Sequence, residues 1–281
     1  MHAIPLGGLD DPRLDDYRHL ADHDELRRRG VFVAEGRLVV ERLLAHRRQV
    51  VRSILLSPAA AEALAPALDA ADARPVFVLP QADLNRIVGF DIHRGCLAIG
   101  ERPAPATIAS LDLAGATRVL VMEGVNNPDN VGGLFRNGAA LGAAAVVLGP
   151  NCGDPLYRKA VRTSMAAVLS LPWVDAGAWP DALHLLRASG WSIVACTPSA
   201  DAVSLYDAAL PRRAAVLVGA EGPGLTAEAL ACADVRVRVP MHGAVDSLNV
   251  ATAAAVVLSA LARYDSSAQA SDRVTALRQP L

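Results

Sequence analysis

The sequence predicts an α/β protein built around a parallel sheet, and three observations support this prediction. Short apolar runs typical of buried strands alternate with amphipathic helical patterns along most of the chain. Several of these runs lead into loops of unusually polar or Gly-rich composition, as at the ligand-binding edge of open parallel sheets. At 281 residues, the chain is also long enough for two modest domains.

The N-terminal part of the chain predicts a small α/β domain. Its strand-like runs are "GVFVAEG", "VVRSILLS", "PVFVLP" and "GCLAIGE", and its helical patterns are "RLVVERLLAHRR", "AAAEALAPALDAA" and "QADLNRIVG". The stretch "RPAPATIASLDLAGA" has two closely spaced prolines and few charges, which is typical of a linker. We therefore assign residues 1–102 to an N-terminal domain and residues 103–116 to a linker.

Strands and helices alternate again from residue 117 onwards. Strands are predicted for "TRVLVM", "AAAVVLG", "WSIVACT", "AAVLVG" and "VRVRVP". Helices are predicted for "NVGGLFRNGAALG", "DPLYRKAVRTSMAAVL", "PDALHLLRASG", "LTAEALACA" and "LNVATAAAVVLSALARY". Such alternation indicates a parallel sheet with both faces covered. Residues 117–264 form the second predicted domain, and residues 265–281, which lack apolar periodicity, form a predicted flexible tail.

Composition narrows the class of protein. The net charge of −2 excludes a protein that coats nucleic acid by charge alone. No apolar run approaches the roughly 18 residues of a membrane span, and the N-terminus lacks the basic start and apolar core of a secretory signal. The four cysteines are far apart and predict neither a zinc site nor a disulfide framework. We expect a soluble cytoplasmic protein without a metal.

Positive charge is concentrated in one N-terminal segment. From Leu26 to Arg52 there are eight Arg against two Glu, a local excess of six positive charges. Two interpretations are open for this segment. It is either a solvated face in an Arg-rich composition or a surface for the backbone of a polyanion.

Three loops that follow predicted strands stand out by composition: "EGVNNPDNVGG", "GAEGPGLT" and "PMHGAVDSLN". The second and third combine Gly with short polar residues, which lets a ligand reach backbone N–H and C=O groups. This suits an adenine edge or a ribose. The dinucleotide motif Gly-x-Gly-x-x-Gly is missing at Gly124 to Gly133, and no Walker loop is present, which disfavours other nucleotide-binding α/β enzymes.

In their order and spacing, three segments resemble the motifs of SpoU-type (TrmH-like) RNA 2′-O-ribose methyltransferases of the SPOUT superfamily. They are "NNPDNVGGLFRNGAALGA", "LVGAEGPGLT" and "VRVPMHGAVDSLNVATAAAVVL", and the resemblance spans Thr117 to Tyr264. The N-terminal "FVAEGRLVVERLL" is similar to a substrate-binding domain, related to RNA-binding ribosomal proteins, that often precedes this catalytic domain. Family members often have Asp before the Pro of the first motif, where this chain has Asn127.

The resemblance implies a knotted (trefoil) catalytic domain, a homodimer, S-adenosylmethionine as cofactor and methyl transfer to a ribose 2′-hydroxyl of RNA. Ribosomal RNA is favoured because the additional domain suits a structured target, and transfer RNA is the second candidate. A non-catalytic RNA-binding protein of ribosome assembly is the alternative from another class, and the intact motif residues disfavour it.

The resemblance also implies catalytic residues, namely Arg136, Asn130, Glu221, Ser247 and Asn249. An Arg side chain stays protonated, so we expect Arg136 to bind the target phosphate and stabilise the developing oxyanion rather than act as a base. Asn130 either orients that site or caps a helix predicted to begin at Val131. Glu221 either helps to position Arg136 or is structural. An N-cap role explains Ser247 well but leaves Asn249, in the first helical turn, less explained.

Family correspondence implies cofactor contacts at Gly219, Val239 and Leu248, with Met241 and Gly243 as neighbours. We interpret His242 as a loop residue rather than a base. For the RNA backbone, the sequence suggests cations in the N-terminal segment and on the helix "LYRKAVR". These candidates are Arg28, Arg37, Arg158, Lys159 and Arg162.

Overall fold

The computed structural model describes residues 3–46, 50–69, 74–92, 95–243 and 246–276, with side chains as far as Arg263. Its strands are β1 (Val31–Glu35), β2 (Val51–Leu56), β3 (Val76–Val78), β4 (Cys96–Glu101), β5 (Arg118–Met122), β6 (Val146–Leu148), β7 (Trp173–Asp175), β8 (Ser192–Cys196), β9 (Val203–Ser204), β10 (Ala214–Val218) and β11 (Val235–Arg238). Its α-helices are α1 (Asp15–Arg18), α2 (His23–Arg28), α3 (Arg37–Ala45), α4 (Pro58–Asp69), α5 (Gln81–Val88), α6 (Pro128–Ala140), α7 (Arg158–Thr163), α8 (Ala167–Ser170), α9 (Asp181–Ala188), α10 (Ala227–Ala231) and α11 (Val250–Ala276).

One compact unit comprises residues 1–104 together with 154–170. Its four-stranded sheet has the order β1-β4-β2-β3, in which β4 is antiparallel to both neighbours and β2 pairs in parallel with β3. All residues of β1 and all of β4 except Glu101 are buried, as expected for apolar strands covered by helices. The core includes the side chains of Tyr17, Leu55, Phe77 and Leu97.

The segment 154–170 groups with this first unit, whereas the sequence places it in the second predicted domain. It also forms two short helices instead of the single predicted helix "DPLYRKAVRTSMAAVL". The helix breaks where Met165 and Ala166 take positive φ angles of 53° and 66°. Non-glycine residues rarely adopt this left-handed conformation, which ends α7 and reverses the chain before α8. The guanidinium of Arg42 donates a hydrogen bond to the Met165 carbonyl.

The second unit comprises residues 105–153 and 171–281 and contains a seven-stranded sheet. The strand order is β7-β6-β5-β10-β8-β11-β9, and every neighbouring pair is parallel. Each residue of β5 and β10 is buried, which explains why both strands read as uninterrupted apolar runs. The predicted α/β class with a parallel sheet is therefore confirmed. Because the neighbouring strands are parallel, the carboxyl ends of all seven strands lie at one edge of the sheet.

Helix α6 begins three residues earlier than predicted. Asn127 is its N-cap, because its side-chain oxygen accepts from Asp129 N at 2.9 Å, and Pro128 occupies the first turn. The prediction that Asn130 caps a helix starting at Val131 is therefore wrong. Small residues let α6 approach α11 closely, since a Cβ added to Gly133 would lie 3.0 Å from the Ala251 Cβ.

Helix α11 begins at Val250, and its N-cap is Asn249 rather than Ser247. The Asn249 Oδ1 atom accepts from Ala251 N at 2.9 Å and from Thr252 N at 3.3 Å. The helix continues to Ala276 and so includes much of the stretch predicted as a flexible tail, whose residues 277–281 lie outside the described part. No helix in the described ranges combines the length and apolarity needed to cross a membrane.

Candidate functional site

A cavity of about 460 Å³ lies at the carboxyl edge of the seven-stranded sheet. Its walls come from the ends of β8, β10 and β11, from the loops that follow them and from the first turn of α11. The lining residues are Cys196, Thr197, Pro198, Val218, Gly219, Ala220, Glu221, Gly222, Gly224, Val239, Met241, Asp246, Ser247, Leu248, Asn249, Val250 and Ala253. This is the position at which open parallel sheets bind ligands.

Most of the residues with predicted site roles in the second and third loops meet at this cavity. Of the predicted cofactor contacts, Gly219, Val239, Met241 and Leu248 line it, and Gly243 does not. Of the predicted catalytic residues, Glu221, Ser247 and Asn249 line it, while Asn130 and Arg136 lie outside the lining. His242 is exposed and also lies outside it.

The side chain of Asn249 connects the three loops. Its Nδ2 group donates to the Asn130 Oδ1 atom at 2.7 Å and to the Glu221 Oε1 atom at 3.0 Å. Its Oδ1 atom accepts from the first turn of α11, as described above. The Asn249 amide thus donates hydrogen bonds to Asn130 and Glu221 and accepts hydrogen bonds from the first turn of α11. The same side chain therefore stabilises both the site and the start of the helix.

Asn130 lies inside α6 and is buried, with 6% of its surface exposed. A buried amide oxygen needs a donor, and Asn249 supplies it. Seven residues further along α6, the Asn137 side chain donates to the Ala251 carbonyl at 2.7 Å. Two asparagines on one face of α6 therefore hold the beginning of α11.

Arg136 is exposed on α6, next to the face that contacts α11. Within the part of the chain that the structure describes, its guanidinium forms no hydrogen bond or ion pair with another residue. It lies six residues after Asn130, which corresponds to roughly 9 Å along a helix axis. An extended Arg side chain with free donors in this position can bind a phosphate or an oxyanion.

The second loop, defined here as residues 219–226, is folded tightly back on itself. Gly224 N donates to the Ala220 carbonyl at 3.0 Å. A Cβ on Gly219 would lie 2.4 Å from the Gly224 carbonyl carbon, so no larger residue fits there without moving the backbone. Gly222 and Gly224 have φ angles of 88° and 73°, which glycine adopts without strain. These glycines shape the cavity wall that carries Glu221.

A buried carboxylate that the sequence did not single out lies beside this loop. Glu123 follows β5 directly and is only 3% exposed. Its Oε1 atom accepts from Trp179 Nε1 and from Thr226 Oγ1, both at 2.7 Å, and its Oε2 atom accepts from Thr226 N at 2.9 Å. The sequence signal is an acidic residue directly after the apolar run "RVLVM".

The cavity is acidic among its described lining residues, since Glu221 and Asp246 are charged and no Lys, Arg or His lines it. Cys196 also lines the cavity, and burial raises the pKa of its thiol to about 11, which disfavours the reactive thiolate. The described residues contain no group of three or more potential metal ligands. The two acidic side chains in the described lining favour a ligand that carries positive charge.

The predicted RNA-binding cations lie in the first unit, where four of them have acidic partners. Arg28 and Arg37 pair within their own helices with Glu25 and Glu41, at 2.6 Å and 3.7 Å. Arg158 and Arg162 both approach the buried Glu35, at 3.6 Å and 3.8 Å. Lys159 is exposed on α7 and also interacts with another residue. The guanidinium of Arg158 also lies 4.3 Å from the centre of the Phe90 ring.

Comparison with known proteins identifies the family. Residues 117–259 match the SpoU rRNA methylase family. Over 257 residues the chain is 45% identical to an uncharacterized tRNA/rRNA methyltransferase of Mycobacterium bovis, which covers 88% of this chain and 87% of that protein. It is 30% identical to a 23S rRNA (guanosine-2′-O-)-methyltransferase of Ralstonia nicotianae, over 68% of this chain and 78% of that protein.

A solved structure agrees with this result. An AdoMet-bound rRNA methyltransferase of Sinorhizobium meliloti superposes with a TM-score of 0.77 at 25% identity, covering 92% of this chain and 96% of that one. The match extends over both compact units. Sequence, fold and the geometry of the three loops thus lead to one conclusion: the chain belongs to the SpoU rRNA methylase family.

Proposed function

We propose that this protein is an S-adenosylmethionine-dependent RNA methyltransferase that modifies a ribose 2′-hydroxyl, with ribosomal RNA as its substrate. The observation that carries the proposal is the hydrogen-bond network of Asn249 with Asn130 and Glu221. It joins residues from all three motif loops beside a cavity of cofactor size in a member of the SpoU family. An RNA-binding protein without catalysis has no need to keep these polar groups aligned at a cavity.

The cavity fits S-adenosylmethionine in size and charge. Its volume of about 460 Å³ lies within the range of roughly 300–1,000 Å³ typical of cofactor sites. The acidic side chains of Glu221 and Asp246 suit a ligand with a sulfonium and an ammonium group. When bound, this cofactor supplies an electrophilic methyl group. The related AdoMet-bound protein of Sinorhizobium meliloti supports the assignment.

Backbone N–H groups recognise the uncharged parts of the cofactor, its adenine and its ribose. Considering the described residues alone, the N–H groups of Val239, Met241 and Leu248 donate no hydrogen bond to another residue. We propose that these N–H groups donate to an adenine edge or a ribose hydroxyl of the cofactor. The close approach of Gly219 and Gly224 narrows this side of the cavity, which lets a flat ligand contact the backbone directly.

Arg136 is the catalytic residue that contacts the RNA in this proposal. Its guanidinium can bind a phosphate of the target nucleotide with two parallel hydrogen bonds and stabilise the negative charge that develops on the 2′-oxygen. Arg136 lies in the C-terminal half of α6, and the Asn130–Asn249 hydrogen bond fixes the beginning of the same helix to the start of α11. Because methyl transfer needs oxygen, carbon and sulfur in line, such fixed geometry contributes much of the rate acceleration.

The remaining parts of the proposal rest on the family relationship. The Ralstonia nicotianae relative is named for 2′-O-methylation of 23S rRNA, which favours ribosomal RNA and ribose over base methylation. Transfer RNA remains the second candidate, because the Mycobacterium bovis relative is named for either RNA. We further propose a trefoil knot in the second unit, a homodimer, RNA binding by the first unit, and action in the cytoplasm.

Transfer of labelled methyl groups tests the activity. Purified protein is incubated with S-adenosylmethionine labelled in its methyl group and, separately, with 23S rRNA, 16S rRNA and bulk tRNA from a strain that lacks the gene. We expect label in rRNA at a linkage resistant to alkali, since 2′-O-methylation blocks hydrolysis there. Label in tRNA alone would favour the second substrate, and label on a base would contradict ribose methylation. Cofactor binding without transfer to any RNA would refute the enzyme assignment.

Arg136→Ala tests the catalytic role. We expect methyl transfer to fall by more than about 100-fold, as for the loss of an oxyanion-stabilising donor, while the Kd for S-adenosylmethionine changes less than about threefold. Isothermal titration and single-turnover transfer measure the two effects, and the exposed Arg86→Ala serves as the control. An equal loss of binding and transfer would contradict this role.

A further inference from the structure

Glu123 spans the two ends of the loop that forms one wall of the cavity. Its backbone N–H donates to the carbonyl of Val218, the last residue of β10, at 2.9 Å. Its side chain accepts two hydrogen bonds from Thr226, at the other end of the second loop. The residues between them include Glu221, which bonds to Asn249. One residue at the end of β5 thus fixes both ends of a neighbouring loop.

A carboxylate is the group that this position requires. Three groups donate hydrogen bonds to the carboxylate oxygens of Glu123, namely Trp179 Nε1, Thr226 N and Thr226 Oγ1. The Thr226 Oγ1 atom also accepts from Ala229 N at 3.2 Å as the N-cap of α10, so its hydrogen is available to Glu123. A Gln side chain would direct its NH₂ group at one of these donors in either orientation of the amide. The arrangement therefore selects an acceptor-only side chain.

We infer that Glu123 is a positioning residue for cofactor binding, which acts by holding the second loop in the shape that closes the cavity. The inference rests on the proposed binding of S-adenosylmethionine. Glu123 does not line the cavity itself, so it acts through Thr226 and the loop rather than through contact with the ligand. Trp179, whose ring packs on Gly149 after β6, gives the carboxylate a further donor that lies outside the second loop.

The two partners of Glu123 allow a sharp test. Thr226→Val removes the side-chain donor on the loop, whereas Trp179→Phe removes a donor that is not on the loop. If Glu123 positions the loop, Glu123→Gln and Thr226→Val raise the Kd for S-adenosylmethionine at least tenfold, and Trp179→Phe raises it less than about threefold. Thr226→Ser, which keeps the hydroxyl, restores binding to within about threefold of the wild type. Glu228→Gln, on the exposed surface of α10, is the matched control and leaves the Kd unchanged.

Binding is measured by isothermal titration calorimetry below the unfolding temperature, with the stoichiometry reporting the folded fraction. Affinity for 23S rRNA is measured in parallel and stays within about twofold. Hydrogen–deuterium exchange of amides 219–226 gives a second readout, in which Glu123→Gln and Thr226→Val accelerate exchange in this loop more than in β5 and β10. A role confined to general stability would instead lower the unfolding temperature and leave the Kd of the folded fraction unchanged.

The outcomes separate this inference from the proposed function. If the wild type binds S-adenosylmethionine and the Glu123→Gln and Thr226→Val Kd values stay within twofold, the positioning role is wrong and the cofactor assignment stands. If the wild type does not bind it, the proposed function fails, and the exchange of amides 219–226 still decides whether Glu123 orders the loop. Equal effects of Trp179→Phe and Thr226→Val would also contradict the inference.

Discussion

The polar groups of the two units are used differently. In the first unit, two largely buried carboxylates have cationic partners: Glu35 pairs with Arg158 and Arg162, and Asp154 accepts from Arg102 at 2.8 Å and lies 3.1 Å from His23 Nε2. In the second unit, uncharged amides and one carboxylate form a network that borders the cavity. The comparison shows that the ion pairs of Glu35 and Asp154 have a structural role in the first unit, whereas the amide side chains of the second unit are arranged beside the cavity.

The ion pairs of the first unit have a clear structural task. Both involve the segment 154–170, which follows β5, α6 and β6 in the sequence but belongs to the first unit. Glu35 on β1 holds α7 through Arg158 and Arg162, and Arg102 after β4 holds Asp154 at the start of the segment. Asp154 also accepts from Leu156 N at 2.9 Å, which fixes the local turn. These contacts attach a distant piece of chain to the four-stranded sheet.

Among changes to these contacts, the largest effect is expected from Asn249→Asp in the network beside the cavity. In Asn249→Asp, the carboxylate still caps α11, so the variant loses the donor side of the network without losing the helix cap. The new side chain cannot donate to Glu221, and the two carboxylates repel each other. Rotation of the Asn130 amide restores only one hydrogen bond. We expect single-turnover methyl transfer to fall about 100-fold, by analogy with the loss of other polar groups at active sites.

Asn249→Ala is the companion variant. It loses the cap as well, which costs about 1 kcal/mol of stability, in addition to the loss of transfer. If Asn249→Asp retained full activity, the network beside the cavity would have only a structural function, and the contrast between the two units would disappear.

An intermediate effect is expected from the ion pairs. Glu35→Gln leaves Arg158 without its carboxylate partner while the guanidinium remains packed on Phe90. Loss of one partner of a fully buried pair costs roughly 3–5 kcal/mol, and partial exposure of both Arg side chains lowers this to about 1–3 kcal/mol. Chemical denaturation measures the change. The Kd for S-adenosylmethionine should not change, because Glu35 is remote in sequence and absent from the cavity lining.

Glu41→Gln is the control for this experiment. Glu41 pairs with Arg37 at 3.7 Å on the surface of α3, so its loss should cost less than about 0.5 kcal/mol. A larger effect for Glu41→Gln than for Glu35→Gln would show that burial does not determine the strength of these pairs.

The smallest effect is expected at Arg28, whose exposed charge contributes little to stability. The Arg28 side chain is 71% exposed and pairs only with Glu25 within α2 in the described structure. Arg28→Ala should change stability by less than about 0.5 kcal/mol. If Arg28 contacts the RNA backbone, affinity for 23S rRNA falls a few-fold, and the slope of log K against log salt decreases by about 1. An unchanged slope in filter-binding titrations would remove Arg28 from the RNA-binding surface.

The sequence predicted a strand or helix correctly wherever a single periodic pattern covered that element. Every predicted strand is present, because buried parallel strands read as short apolar runs. The N-cap of α6 was available from the sequence, since Pro128 marks the first turn and Asn127 precedes it. β9, with two residues, is too short to form a pattern.

Long-range contacts could not be read in this way. The hydrogen bonds of Glu123 reach residues 56 and 103 positions later, and no local pattern records such partners. The break between α7 and α8 depends on positive φ angles at Met165 and Ala166, residue types that normally continue a helix. The motif residues were found as a set, but the sharing of Asn249 between the helix cap and the site emerged only from the structure.

The Asn130–Asn249 hydrogen bond also sets the order of events during biosynthesis. The two residues are 119 positions apart, and Asn249 takes its place only as the start of α11 folds. At a synthesis rate of about 5–20 residues per second, Asn130 waits roughly 6–24 s on the ribosome for its partner. The hydrogen-bond network beside the cavity therefore forms only after the start of α11 has been synthesised and has folded.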